Sequence, residues 1–425
     1  MSPSLRGMLL RQYIKGRTDD MIFEEMKSTS RKEAFLAKRS ASIGGSAGEV
    51  EGMAAYILTE RFDEDIERLI EGDYYFDPPK LIYLRKGQSD RRRKVYSFSE
   101  ENKILLQYLT FMLMERYDDL FPDTLYSFRK NNPVGSLFRA IRRYDPHREK
   151  YIIKMDIRSF GESIDPVMLE KRLKPWLADE PELHAFIMWL ISRNLYYRDG
   201  RLEEGFTSVL PGNPIVSFLQ NVFLLEADSF MKENVMICSR YTDDICMICE
   251  DSSSAECLME QLRKIITDLG LSPNEEKTFI VPPGVSFDLL GIRFAPDMTD
   301  IAENTFRKVF CRMKHRADSI CRRVKQGRLS REDGLRLMAA FISFYYYGTG
   351  EDGWISWADK FFPCITTAES LKKLDHLSQE CLRYIATGRR TNAKYRFRYK
   401  DIREAGYVPL VRAYYSKQNM KSRLP

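Results

Sequence analysis

The stretch MICSRYTDDICMIC, Met236–Cys249, sets two adjacent acids, Asp243 and Asp244, at the centre of an alternating apolar run. A strand cannot bury neighbouring carboxylates cheaply. The pattern therefore predicts a hairpin with apolar arms and the acids at its bend, where a divalent cation would neutralise them. A solvated polar turn is the plainer alternative, because Asp is common in turns. Residues elsewhere decide between the two.

A second apolar strand, Tyr151–Met155, delivers Asp156 at its end and runs on through Ile157 and Arg158 into Ser159, Phe160 and Gly161. Carboxylates at strand ends suit Mg²⁺, a hard ion that takes oxygen ligands and keeps sites for waters and substrate phosphates. Two such ions roughly 4 Å apart activate an attacking hydroxyl and stabilise a departing pyrophosphate. The chemistry expected of Asp156, Asp243 and Asp244 is nucleotidyl transfer.

In this order the motifs resemble the palm of reverse transcriptases, particularly bacterial ones of the group II intron, retron and phage-defence lineages. Asp156 with Ser159-Phe160 is similar to the first palm motif, and Tyr241–Asp244 to the Tyr-x-Asp-Asp motif. Between them, Leu210–Pro214 through Asn221 resembles the glycine loop and helix beside the nascent base pair. Downstream, Leu269–Leu271 through Glu276–Thr278 resembles the next motif, and Phe287–Phe294 the primer-grip hairpin. Upstream, Phe121–Arg129 is similar to a fingers segment with a Phe-Arg pair.

The resemblance implies an α+β, right-hand polymerase with fingers, a palm built on an antiparallel sheet, and a helical thumb. It implies two Mg²⁺ ions, with Mn²⁺ as the alternative, held by Asp156, Asp243, Asp244 and the main chain of Ile157. Lys277 stands where a general acid would protonate the leaving pyrophosphate; an exposed lysine at a helix end is its plain alternative. Arg93 and Lys94 fall where the fingers clamp the triphosphate, and Phe160, Gly161 and Gly212 where the nucleotide lies. Arg129 is expected on the template or in a structural ion pair, and Leu290 and Gly291 at the primer end.

Two positions depart from the family pattern. Gly161 stands where many relatives carry the aromatic ring that excludes a ribose 2′-hydroxyl, which leaves sugar selection open, and Pro211 replaces a glutamine before the glycine, removing an amide.

The formal charge of the 425 residues is only +6, from 67 basic and 61 acidic side chains, yet the cations are clustered. Arg307–Arg328 includes Arg312, Arg316, Arg322 and Arg323, opposed only by Asp318. A second run includes Arg389, Arg390, Lys394, Arg396 and Arg398, interleaved with Tyr395, Phe397 and Tyr399. Such clusters grip phosphates without regard to sequence, and interleaved rings suit stacking on one strand. A solvated helix face is the alternative reading.

The four histidines are scattered, and Cys246 and Cys249 on one strand point to opposite faces, so zinc is not expected. The eight cysteines suit a reduced, cytoplasmic setting, and neither a signal peptide nor a membrane span is expected.

The length suggests several subdomains. The expected division is an N-terminal extension over 1–60, fingers over 61–150, palm over 151–300 with 166–208 partly in the fingers, and a basic helical thumb over 301–425. Residues 5–27 and 52–71 read as helices, Ser28–Gly48 as a basic segment that is mobile or a loop ordered by nucleic acid, and Leu81–Phe98 as a hairpin with a basic tip. Ser99 begins a capped helix to about Tyr117, and Pro214 opens the helix that contains Phe218.

The functional expectation is an RNA-directed DNA polymerase that takes deoxynucleoside triphosphates and a DNA primer. It would copy a structured non-coding RNA in bacterial anti-phage defence, with no membrane involved. Template-independent or protein-primed synthesis is the alternative within the same chemistry. From another class, the rival is a non-catalytic RNA-binding maturase or scaffold, which would not need acids clustered in an apolar palm.

Overall fold

The computed structural model describes residues 21–43, 47–85, 92–129, 134–193, 195–205, 212–348 and 356–421. The first part of the expected helix at 5–27, the tip of the 81–98 hairpin, Leu210 and Pro211 lie outside the described residues. So do the side chains of Arg93 and Lys394. The chain folds into two compact units, the first running to Pro283 apart from 41–45 and 145–149, the second comprising those two segments and 284–425.

The first unit is organised on a sheet of order β6-β7-β3-β8, from Cys238–Tyr241, Asp244–Cys249, Tyr151–Asp156 and Phe279–Val281. All its pairs are antiparallel. β3 sits inside the sheet, and its Ile152, Ile153 and Met155 are fully buried. The register pairs Asp156 directly with Asp244, so strand pairing alone brings distant acids to one end of the sheet. Helix Ser252–Asp268 packs on β3 and β7 through Ala255, Met259, Leu262 and Ile266. Asp251 caps it by accepting the Ser254 N–H at 2.8 Å. Cys246 and Cys249 are buried in β7.

The hairpin expected at Leu81–Phe98 is β1, Lys80–Arg85, against β2, Arg92–Ser97. With β4, Leu195–Arg198, and β5, Arg201–Glu204, it makes a second sheet of order β2-β1-β4-β5. Helix Glu100–Tyr117 is buried along Ile104, Leu105, Leu106, Tyr108, Leu109 and Met112, a wider face than an amphipathic surface helix shows.

Three local expectations are corrected. Ser28–Gly48 is not a mobile segment over its described part but the helix Thr29–Ile43. Phe35 is sunk against the Tyr108 and Phe111 rings at 5.1 and 5.6 Å, and Lys32, one turn before it, reaches Asp63 at 2.6 Å. Two anchored residues on one face hold a polar helix down. Residues 52–71 are two helices, Ala47–Ile57 and Glu60–Glu71, because the chain turns at Leu58–Thr59. The helix after Pro214 starts at Val216; Pro214 precedes it in a turn closed by the Asn213 carbonyl and the Val216 N–H.

The second unit holds the sheet β11-β10-β9, from Met298–Ile301, Ile292–Ala295 and Phe287–Leu289. Leu290 and Gly291 form its first turn, both at positive φ. A Cβ on Gly291 would come within 2.7 Å of the Thr305 hydroxyl, so the turn needs glycine. Helices Glu303–Lys325, Arg331–Tyr347 and Glu369–Thr387 pack on one another, and the first carries Arg312, Arg316, Arg322 and Arg323. Sheets with antiparallel pairing and segregated helices make the fold α+β.

Candidate active site

The bend between β6 and β7 is two residues, Thr242 and Asp243, with Thr242 at φ 56°. The left-handed threonine is strained. It is fixed by the strand register on one side and by Arg240 on the other. Arg240 is fully buried. It donates to both Asp228 carboxylate oxygens at 2.7 and 2.6 Å, to the Asn221 carbonyl at 3.2 Å and to the Thr242 carbonyl at 3.2 Å. Its main chain pairs with Thr124 and Tyr126. Asn221 in turn bonds Ser127 through both its amide oxygen and nitrogen. The segments 121–129, 216–223 and 238–244, far apart in sequence, thus converge on one residue, Arg240.

The acids at the sheet end are held differently. Asp156 accepts from Lys277 Nζ at 2.7 Å and from the Asn274 amide at 3.0 Å, while its carbonyl accepts the Asn274 N–H at 2.7 Å. Asp244 is ion-paired with Lys154, two residues before Asp156 on the same face of β3. Asp243 accepts only from the Thr242 hydroxyl, at 2.9 Å, and from its own main-chain N–H. Burial, and then the nearby Asp156 and Asp244, push its carboxyl above the usual range.

Asp156, Ile157, Phe160, Gly161, Gly212, Asp243, Lys94 and Lys277 all line one cleft of about 850 Å³ within the first unit. Arg92, Arg158, Asn213, Gln220 and Asn274 share it. Ile157 is buried and its N–H donates to the Asp243 carbonyl at 3.2 Å, tying the two acidic segments together. Phe160 is almost fully buried against Phe223, so its ring does not stand in for the one missing at Gly161. A Cβ on Gly161 would meet only the movable amide of Gln220, at 3.2 Å, and Val216.

Gly212, at φ 103°, makes its close approach to protein: a Cβ there would lie 2.6 Å from the Tyr96 carbonyl of β2. Its smallness serves this loop-to-strand contact at the edge of the cleft. Arg129 is likewise spent on structure. Its guanidinium is buried, 2.6 Å from Asp118 and 2.9 Å from the Pro122 carbonyl.

In the second unit, Arg312 and Arg316 lie over Tyr345 and Phe341, each at 5.3 Å. Arg390 is paired with Asp318 and lies over Tyr384. Arg322, Arg323, Arg389, Arg396 and Arg398 are exposed. Residues Asn392–Arg396 form a short 3₁₀ turn and Tyr399–Glu404 a helix, with Tyr395 and Tyr399 half exposed.

Sequence reasoning missed Lys154, Asn274, Gln220, Asn221 and the Arg240–Asp228 pair. Lys154 and Arg240 left a signal, a lone cation inside a strand that otherwise reads as core. Asn221 and Asp228 left none, since polar residues on a helix are ordinary.

Residues 85–294 match the reverse transcriptase (RNA-dependent DNA polymerase) family. This chain carries a reverse transcriptase domain. That domain begins at the end of β1, contains the whole cleft sheet and ends in β10. The chain is also similar to the group II intron-encoded protein LtrA of Lactococcus lactis subsp. cremoris, 21% identical over 172 residues, and equally to the LtrA of its strain MG1363. The match covers 40% of this chain and 28% of LtrA. Among solved structures, an apo telomerase from Candida tropicalis, truncated from the C-terminal domain, is similar at TM-score 0.42 and 10% identity. That match covers 53% of this chain and 56% of that one.

Reverse transcriptase domains use divalent metal ions, and the donors here fit one. Among the described residues no three His, Cys, Asp or Glu side chains form a metal-holding group. Mg²⁺, however, is usually bound by one or two carboxylates with waters and substrate phosphates completing the shell. Asp243, a partly buried acid with no ion pair among the described residues, and Asp156 beside it are such a pair. Among the described residues no helix is long and apolar enough to cross a membrane.

Proposed function

We propose that the chain is an RNA-directed DNA polymerase that extends a primer in the Asp156–Asp243 cleft. Residues 61–150 act as fingers, 151–300 as palm with 166–208 partly in the fingers, and 301–425 as thumb, with the arginines of the helical region on nucleic-acid phosphates. The observation that carries the reading is Asp243, which shares a cleft with Asp156 and the cations Arg92, Lys94 and Lys277 inside a reverse transcriptase domain.

Asp156 and Asp243 would hold Mg²⁺, with Asp244 in support, and the bound ions would lower the pKa of the primer hydroxyl and neutralise charge on the transferring phosphate. Arg92 and Lys94, exposed on β2, offset the charge of an incoming triphosphate. Lys277 orients Asp156 through its 2.7 Å ion pair and, largely exposed to the cleft, is placed to return a proton to pyrophosphate. Leu290 and Gly291 position the primer end.

A dedicated structured non-coding RNA as template, cytoplasmic anti-phage defence as setting and Mg²⁺ as the ion belong to the same proposal. They rest on the resemblance to bacterial lineages. Gly161 favours a second reading of the substrate: with no ring beside Gln220, ribonucleotides enter as well.

The test is to purify the chain with its bound RNA, supply Mg²⁺ with deoxynucleotides or ribonucleotides separately, and sequence the product beside the Asp243→Ala/Asp244→Ala variant. DNA complementary to the bound RNA, absent from the variant, is the expected result. Product unrelated to any bound RNA would move the reading to template-independent synthesis. A doubly substituted protein that still performs its cellular task would replace the polymerase with a scaffold.

A further inference from the structure

The second unit encloses a cavity of about 350 Å³ between helices Glu303–Lys325 and Glu369–Thr387. Each helix contributes one stripe at helical spacing, Phe310, Lys314 and Ala317 from the first and Lys373, Leu377, Cys381 and Tyr384 from the second. The first stripe sets a ring and a cation beside a small residue, and the second sets Leu377 and Cys381 between a cation and a ring. Ala317, Leu377 and Cys381 are buried and form the inner wall.

The mouth is cationic. Lys314 Nζ lies 4.3 Å from the centre of the Phe310 ring, and the Arg390 guanidinium 4.4 Å from that of Tyr384. Arg390 is paired with Asp318, whereas Lys314 and Lys373 form no ion pair among the described residues. The one acid in the lining, Glu380, is engaged by Arg383 at 3.3 Å. Burial pushes the Cys381 thiol up to about 12, so it adds neither negative charge nor a nucleophile near neutral pH.

We propose that this cavity binds a single nucleotide, its base against the apolar wall and its phosphate on Lys314 and Lys373. An aliphatic anion would satisfy the lysines but leave the rings unstacked. A nucleotide carries a flat π face and a phosphate side by side, as the cavity carries rings and cations side by side. The volume is at the lower end of small-ligand sites, which span roughly 300–1,000 Å³, and suits one nucleotide rather than a helix. Two sources share this chemistry, a free nucleoside phosphate and a base turned out of a bound single strand.

The inference does not depend on polymerase activity and is tested without it, in EDTA. The full chain is titrated with a short single-stranded RNA containing 2-aminopurine, then with free 2-aminopurine riboside monophosphate, reading fluorescence quenching. Lys314→Ala/Lys373→Ala, which changes only exposed side chains, is expected to weaken binding by about five- to tenfold at low salt. Leu377→Trp fills the wall and should abolish quenching while circular dichroism stays native. Competition by the free nucleotide identifies it as the ligand; quenching by the strand alone assigns the site to an extruded base. Quenching and affinity that survive both variants overturn the proposal.

Discussion

Asp228 and Asp243 are acids held by the same hairpin, and the protein treats them in opposite ways. Asp228 is fully buried and given both arms of the Arg240 guanidinium, so every oxygen is satisfied from within the chain. Asp243, on the far side of the same turn, is partly buried and given one hydroxyl and its own N–H. Removing charge from water is costly, and folding alone has no reason to leave Asp243 so poorly compensated. An acid completed by the protein is structural; an acid left short among the described residues, with its carboxyl pushed up, is the candidate for a bound cation.

The largest effect should come from the acid left short. Asp243→Asn is expected to lower the rate of nucleotide addition by about a thousandfold or more, several kcal/mol of transition-state stabilisation. It should leave the thermal midpoint equal or higher, because an uncompensated charge is removed from a partly buried site. Single-turnover primer extension and a melting curve on the same sample read both. A large fall in stability would put Asp243 in the same class as Asp228 and erase the contrast.

The opposite pattern is expected at the completed pair. Arg240→Met strands Asp228 in a sealed site and should cost about 3–5 kcal/mol by denaturant unfolding. Arg240→Met/Asp228→Leu should recover most of that loss, since a buried ion pair is often replaceable by apolar groups. Activity should not recover with it, because the Thr242 carbonyl has lost its donor and the strained bend is no longer held from behind. Full recovery of both would make Arg240 a packing residue and nothing more.

How far the sequence disclosed this contrast depends on where the partners lie. The acidic bend and the strand ending in Asp156 were legible because apolar alternation is local, and carboxylates interrupting it are conspicuous. The purpose of Arg240 was not, although it stands next to Tyr241, because its partners come from two helices whose register against the sheet no local pattern encodes. Gly212 and Arg129 show the same limit. Their residue types suit contact with a ligand, yet tertiary packing gives one to the Tyr96 carbonyl and the other to Asp118. The helix over Thr29–Ile43 was hidden because its few anchors, Lys32 and Phe35, are outnumbered by polar residues that read as disorder.

A smaller effect tests whether the space beside Asp243 is a substrate site at all. Gly161 lines the same cleft, and the atom nearest to a new Cβ is the end of the flexible Gln220 side chain, so a larger residue fits after that side chain turns. Gly161→Phe is expected to raise discrimination between deoxynucleotides and ribonucleotides by about ten- to a hundredfold, the range available to a pocket that rejects one hydroxyl. Competing substrates in one extension reaction measure the ratio. An unchanged ratio with unchanged rate would place the sugar elsewhere.

The smallest expected effect concerns an acid between the two extremes. Glu180 is buried and accepts from Arg116 and from the Ile22 N–H at 3.0 and 3.1 Å, yet burial outweighs these partners and pushes its carboxyl up to about 7 from an ordinary 4.5. A native value above the unfolded one means that the folded protein binds the proton more tightly. The resulting stability is complete below about pH 4.5 and is lost as pH rises through 7. Glu180→Gln fixes the neutral form, so the variant should gain on the wild type by order 1–3 kcal/mol between pH 5 and pH 8, read by denaturant unfolding at each pH. Asp228→Asn, which weakens a buried pair with two hydrogen bonds from one guanidinium, should lower stability instead. If Glu180→Gln instead loses ground at pH 8, Arg116 completes Glu180 as Arg240 completes Asp228, and Asp243 stands alone as the acid left short.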